Sequence, residues 1–196
     1  MNALQKKLSG TRLILGSQSP RRQNLLKELD IPFEVKYANF DESYPDNFRR
    51  EDIPMFVARK KATALKEHLQ YPNTLLITAD SIVCLDELII TKPVDMKDAE
   101  RILRLLSGRK HQVLTGVCLM SNKKSNSFFC KTDVSFRVLK DDEITYYVDK
   151  FKPLDKAGAY GIQDWIGLVG VEYIFGSYNN VMGLPVKEVY ENLLRF

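Results

Sequence analysis

Residues 13–26 read LILGSQSPRRQNLL, and the reading of this stretch decides the fold. Leu13-Ile14-Leu15 is a short apolar run of the length of a buried strand. Further on, Leu25, Leu26 and Leu29 fall on one face of a helix. Gly-Ser-Gln-Ser-Pro joins the two, with Ser19 suited to the N-cap and Pro20 to the first helical position. Strand, tight turn and helix in this order open an α/β protein. Arg21 and Arg22 then occupy the first helical turn, where the dipole disfavours a cation unless something negative lies there as well. A bound phosphate is the commonest anion at such a place. The turn is neither a Walker A loop nor a dinucleotide fingerprint, and arginines on an ordinary α/β surface would give the same local pattern.

Working outward, Phe33–Tyr37 reads as a strand that leads through Phe40-Asp41-Glu42 into a polar loop ending near Arg50. Asp52–Leu69 has the periodicity of one long helix, with Phe56, Ala58, Ala62 and Leu65 facing inward. Thr74–Thr78 is an apolar strand ending at Ala79-Asp80, and Ile82–Leu85 and Leu88–Thr91 flank Asp86-Glu87 as a hairpin. A helix over Lys97–Leu106 stops at Ser107-Gly108. Val113–Met120 and Phe128–Val138 are strands, and Asp141–Lys150 and Val186–Leu194 are helices. Between these last two, Lys156–Leu184 is rich in glycine and aromatics and reads as short strands and close-approaching loops. Strands and helices alternate without strict βαβ regularity, so the expected fold is α/β with a mixed sheet and some α+β character. A single domain over residues 1–196 accommodates all of it.

Composition narrows the function. With 29 basic against 25 acidic residues the net charge is +4, which suits an anionic small molecule and lacks the dense basic stripe of a nucleic-acid binder. Three cysteines (Cys84, Cys118, Cys130) form no CxxC pair, which points to free thiols in a reducing, cytoplasmic setting. No stretch has the form of a signal peptide or a membrane span. Two histidines, His68 and His111, exclude a His-rich metal site, so any metal would be held by carboxylates and would be magnesium or manganese.

Asp80, at the end of an apolar strand, is costly to leave half-buried without a partner. It is either a local cap or a group that holds a metal or activates water. Asp41-Glu42 offers further carboxylate oxygens. Lys61, within ARKKA, and Lys92, held before Pro93, are solvated surface lysines or, together with Arg21 and Arg22, neutralisers of a polyphosphate. In DKAGAYGIQD (155–164), Gln163 both donates and accepts, which suits the edge of a pyrimidine or equally a solvated turn.

Taken in order, SQSPRR, FDE, RKKA, ADSIV, TKP, LSGRKHQVLTGV, DKAGAYGIQ and GSYNNVMGLP resemble the Maf family of nucleoside-triphosphate pyrophosphatases over nearly the whole chain. The resemblance implies an architecture shared with inosine-triphosphate pyrophosphatases, with a central cleft and usually two copies per assembly. It implies a hydrolase that uses a divalent metal and cuts a nucleoside triphosphate between its α and β phosphates. Asp80 matches the family's proton acceptor. Ser17, Ser19, Arg21 and Arg22 match its phosphate-binding loop, and Glu42, Lys61 and Lys92 match further polar positions of the pocket, with Glu42 and Asp80 implied as metal ligands. AGAYGIQ marks the branch acting on dTTP and UTP, in which Arg21, Ser81 and Gln163 match the positions linked to base preference. The chain departs from the pattern at Ser81 (usually threonine), Asp164 (usually glycine) and Thr91 (often glycine). Rival expectations are a preference for modified purines, or a non-catalytic nucleotide-binding role in cell division.

Overall fold

In the computed structural model, which describes residues Met1–Phe196, the opening segment folds as its sequence demands. Strand β1 (Arg12–Gly16) leads through the Ser17–Ser19 turn to helix α2 (Pro20–Lys27), which Ser19 caps, and a short helix α1 (Ala3–Lys7) precedes both. β1 pairs in parallel with β2 (Glu34–Lys36) and with β3 (Thr74–Leu85), so that Leu15 lies opposite Val35 on one side and Ile77 on the other. The remaining elements are α3 (Asp52–Ala64), β4 (Leu88–Ile90), α4 (Met96–Leu106), β5 (Lys110–Met120), β6 (Ser125–Phe136) and α5 (Asp141–Phe151), followed by α6 (Trp165–Gly170), β7 (Val171–Phe175), α7 (Tyr178–Met182) and α8 (Val186–Arg195). The seven strands form a mixed sheet of order β2-β1-β3-β5-β6-β7, with β4 pairing β3. The β3–β4 and β6–β7 pairs are antiparallel.

The chain divides into two compact units. Unit 1 takes Met1–Asp80, Thr115–Cys130 and Gly183–Phe196. Its interior holds Ile14, Leu65, Leu69 and Leu76 in one cluster and Ala58, Ala62 and Cys118 in another. Within it α1 packs on α8, and the buried Thr78 hydroxyl donates to the Ala58 carbonyl at 2.6 Å, which ties α3 to β3. β5 comes so close to the start of α3 that a Cβ on Gly116 would lie 2.3 Å from the Met55 nitrogen. Unit 2 takes Ser81–Leu114 and Lys131–Met182. Here α4 packs on α5 around Ile102, Leu103, Leu106, Phe136, Tyr147 and Ile166.

The structure departs from the sequence reading in four places. The expected strand end at Asp80 and the hairpin arm after it are one continuous strand of twelve residues. The long helix expected over 52–69 gives way after Ala64 to a 3-10 turn over Lys66–Gln70, a common tightening at a helix end. The glycine-rich Lys156–Leu184 contains two helices, α6 and α7. Burial of Ile166 in the unit 2 core outweighs the helix cost of Gly167 and Gly170. α1 lacks enough residues for a periodic signal.

Because the obstruction at Gly116 is backbone, which cannot rotate away, Gly116→Ala is expected to destabilise the protein by about 1–3 kcal/mol. A lowered urea midpoint at unchanged slope would register it.

Candidate active site

Ten of the twelve residues of β3 are buried, and the two partly exposed ones are the adjacent Asp80 and Ser81. Asp80 closes unit 1, and its carboxylate is met there by α3. Lys61 donates from Nζ to Asp80 Oδ1 at 2.7 Å and lies 3.7 Å from Glu42 Oε1. The Lys61 and Asp80 side chains are 14% and 18% exposed, whereas Glu42 is 59% exposed. The same ammonium lies 3.4 Å from the Ala79 carbonyl and 5.6 Å from the centre of the Phe40 ring. Lys61 therefore gathers two carboxylates around one cation.

Its neighbour Lys60 does different work. From the next position on α3 it donates to Asp41 Oδ2 at 3.1 Å and to the Ser43 carbonyl at 2.9 Å. Ser43 donates both its hydroxyl and its N–H to the same Asp41 carboxylate. The Ser43 hydroxyl above all, then the Ser43 N–H and Lys60, hold the Asp41 carboxyl down at about 2. Asp41 is thus a clasp for the loop that carries Glu42. Lys60 was not singled out from the sequence, although the pairing of FDE with RKK contained the signal.

The turn before α2 is built from its own serines. Buried Ser17 accepts the Ser19 N–H at 3.2 Å, Ser19 accepts the Arg22 N–H at 3.5 Å, and the Gln23 amide donates to the Ser17 carbonyl at 3.3 Å. Arg22 reaches the C-terminal segment of the same unit, with Nε donating to the Gly183 carbonyl at 2.8 Å. Burial presses the Arg22 guanidinium below the ordinary arginine value, Asp80 and Glu42 act against that, and Arg21 reinforces it. Arg22 therefore shares an electrostatic neighbourhood with Asp80 and Glu42. Ser17, Ser19, Arg21, Arg22, Glu42, Lys61 and Asp80 all belong to unit 1.

Unit 2 carries Ser81, Lys92 and Gln163. Lys92 is exposed just after β4, where the Thr91 carbonyl accepts the Gly158 N–H at 3.3 Å. That bond ties the TKP segment to the AGAYGIQ segment. Gln163 is exposed at the third position of a turn from Gly161 to Asp164. Tyr160 faces inward, with its hydroxyl 2.8 Å from Nε2 of the buried His111 and its ring edge-on to Phe136. Asn180 of the GSYNN motif is also structural, donating to the Val113 carbonyl and to Thr132 Oγ1 at 3.0 Å each.

No three His, Cys, Asp or Glu side chains converge to hold a metal. Glu42 and Asp80 are nonetheless drawn to one ammonium, and carboxylate oxygens are of the type that suits a hard divalent cation, whose other ligands would have to come from outside the protein.

Comparison with known proteins places this geometry. The fold is that of the Staphylococcus aureus Ham1 protein, with a TM-score of 0.52 at 16% identity over 93% of this chain and 98% of that one. Within that α/β class, the family model described as Maf-like protein matches residues 12–196, and the chain belongs to the Maf family. A Bacteroides fragilis protein named dTTP/UTP pyrophosphatase is 50% identical over 183 residues, which are 93% of this chain and 94% of that relative. Relatives of the same name from Porphyromonas gingivalis (48%, covering 94% of each chain) and Flavobacterium psychrophilum (44%, covering 97% of each) are similar throughout.

If Lys60 is a clasp, Lys60→Ala should speed amide hydrogen exchange around residues 41–43 while lowering global stability by no more than about 1 kcal/mol. Exchange there unchanged from wild type would show that the loop holds without it.

Proposed function

We propose that this chain hydrolyses dTTP and UTP between the α and β phosphates, releasing the nucleoside monophosphate and pyrophosphate. The observation that supports it best is the Asp80–Lys61–Glu42 group sharing one neighbourhood with the Arg21-Arg22 turn, in a chain whose relatives bear the name dTTP/UTP pyrophosphatase.

In this reading Asp80 takes the proton of a water whose oxygen bonds to the α-phosphorus. The bond from that phosphorus to the bridging oxygen breaks toward pyrophosphate. Arg21, Arg22 and Lys61 offset the charge gathering on the leaving group, with Ser17 and Ser19 shaping the turn that receives it. The family resemblance extends the charge-offsetting role to Lys92 and assigns base selectivity to Arg21, Ser81 and Gln163. Glu42 and Asp80 would hold magnesium or manganese, which when bound polarises the α-phosphoryl group.

The same reading makes the protein a cytoplasmic homodimer acting on free nucleotides, not on nucleic acid. Cys84, Cys118 and Cys130 are free thiols, and burial pushes the Cys130 thiol up to about 11, which keeps it unreactive. No helix is long and apolar enough to cross a membrane.

Asp80→Asn removes the proton acceptor and keeps the shape. Turnover of dTTP and UTP is expected to fall by about 10²- to 10⁴-fold, with nucleotide affinity in equilibrium dialysis within about threefold of wild type. Wild-type rates in that variant would take Asp80 out of the chemistry. Across a panel of natural and modified triphosphates, pyrophosphate should be the product and dTTP and UTP the preferred substrates. A preference for modified purines would reverse the base assignment. Separately, EDTA is expected to stop pyrophosphate release and added magnesium or manganese to restore it, whereas undiminished release in EDTA would set the metal aside.

A further inference from the structure

Gly161-Ile162-Gln163-Asp164 is a tight turn closed by the Asp164 N–H, which donates to the Gly161 carbonyl at 3.0 Å. Ile162 is buried in the unit 2 core, while Gln163, the next residue, is exposed. One phenol holds both ends of this turn. Tyr147, fully buried on α5, donates its hydroxyl hydrogen to Asp164 Oδ2 at 2.7 Å and accepts the Gly161 N–H at 3.1 Å. The Tyr147 ring is itself fixed by stacking on Phe151, with centroids 5.0 Å apart.

Asp164 is the N-cap residue of α6, yet its side chain makes no capping hydrogen bond. A residue type well suited to capping is turned instead toward α5. Lys156 Nζ, which donates to Asp155 Oδ1 at 2.9 Å, lies 3.7 Å from the same Oδ2. The turn wraps the carboxylate so tightly that a Cβ on Gly161 would lie 2.4 Å from Asp164 Oδ2.

We propose that Tyr147 and Asp164 are positioning residues that fix the direction of Gln163 and thereby set the base selectivity of the enzyme. The proposal rests on the reading above in which Gln163 meets the base edge. An amide discriminates between bases only while its carbonyl and NH2 are held opposite complementary groups, because misalignment leaves polar atoms unpaired. With its own 3.0 Å bond alone, the turn would leave its exposed residue free to rock. The phenol ties both ends to the core-facing side of α5, where Ile144, Tyr147 and Val148 are buried. Burial first, then the hydrogen bond to the neighbouring carboxylate, keep the Tyr147 hydroxyl protonated above the ordinary tyrosine range, so it keeps its proton at alkaline pH.

Steady-state kinetics on dTTP, UTP, dCTP and ATP test this. Tyr147→Phe removes the hydroxyl and keeps the ring, Asp164→Ala removes the acceptor, and Asp164→Asn keeps an acceptor oxygen. Tyr147→Phe and Asp164→Ala are expected to lower kcat/KM for dTTP by about fivefold, chiefly through KM, and to narrow the dTTP-to-dCTP ratio. Asp164→Asn should retain most of that ratio. In a Gln163→Ala background, Tyr147→Phe should narrow the ratio no further. If Gln163→Ala alone leaves the ratio where it was, the assignment of Gln163 to the base fails. If Gln163→Ala moves the ratio and Tyr147→Phe does not, the positioning role fails. A Tyr147→Phe protein with lowered Tm and intact selectivity likewise reduces the bond to a structural one. Should Tyr147→Phe not fold, Asp164→Ala carries the same test.

Discussion

The ion pair between Lys61 and Asp80 is the constraint on which the unit 1 site depends. A carboxylate in the middle of a buried strand costs several kcal/mol unless it is partnered. At 2.7 Å the Lys61 ammonium supplies the partner, so β3 runs on through Asp80 to Leu85. The pair also requires α3 to lie at a fixed height on β3, which the bond from Thr78 to the Ala58 carbonyl secures from inside. The one acid that the strand tolerates is therefore held where it stays reachable, with its side chain 18% exposed.

The adjacent lysines of RKKA show how one helix serves two purposes. Neighbouring residues on a helix do not face each other, so Lys60 and Lys61 reach different partners from a shared stretch of backbone. Lys60 restrains the loop through Asp41 and Ser43, and Lys61 meets Glu42, which the restrained loop presents. FDE and RKK interlock almost residue for residue, with Phe40 under Lys61, Asp41 on Lys60 and Glu42 on Lys61. The motifs were visible in the sequence, but their pairing was not, because contacts between residues some twenty positions apart leave no periodic trace.

What was legible was what local physics decides. Ser19 and Pro20 marked the start of α2, and apolar runs marked β1 and most of the central strands. What was lost follows from tertiary compensation. Asp80 read as a strand end because aspartate is depleted in strands, and Lys61 removes that objection. Tyr160 lay in a segment read as loops, yet its hydroxyl meets the buried His111 in the core. Asp164, where the family pattern has glycine, read as a stray charge beside Gln163, whereas its carboxylate is taken up by Tyr147. In each instance the partner that decides the residue's place lay elsewhere in the chain.

The opening arginines return with a quantitative edge. Within unit 1, Arg21, Arg22 and Lys61 stand against Asp80 and Glu42, which leaves a single net positive charge in that neighbourhood. Asp80 and Glu42 already relieve part of the cost of two cations in the first turn of α2, so the arginines need no phosphate in order to fold. The one positive charge left over among these five groups still favours an arriving anion. A triphosphate tail, however, carries several negative charges, and one net positive charge is too few to meet them in a partly dry site where unbalanced charge is costly. In the proposed function a divalent cation held by the same two carboxylates would meet part of that shortfall. In that reading the acids that offset the arginines would also be the groups that complete the site.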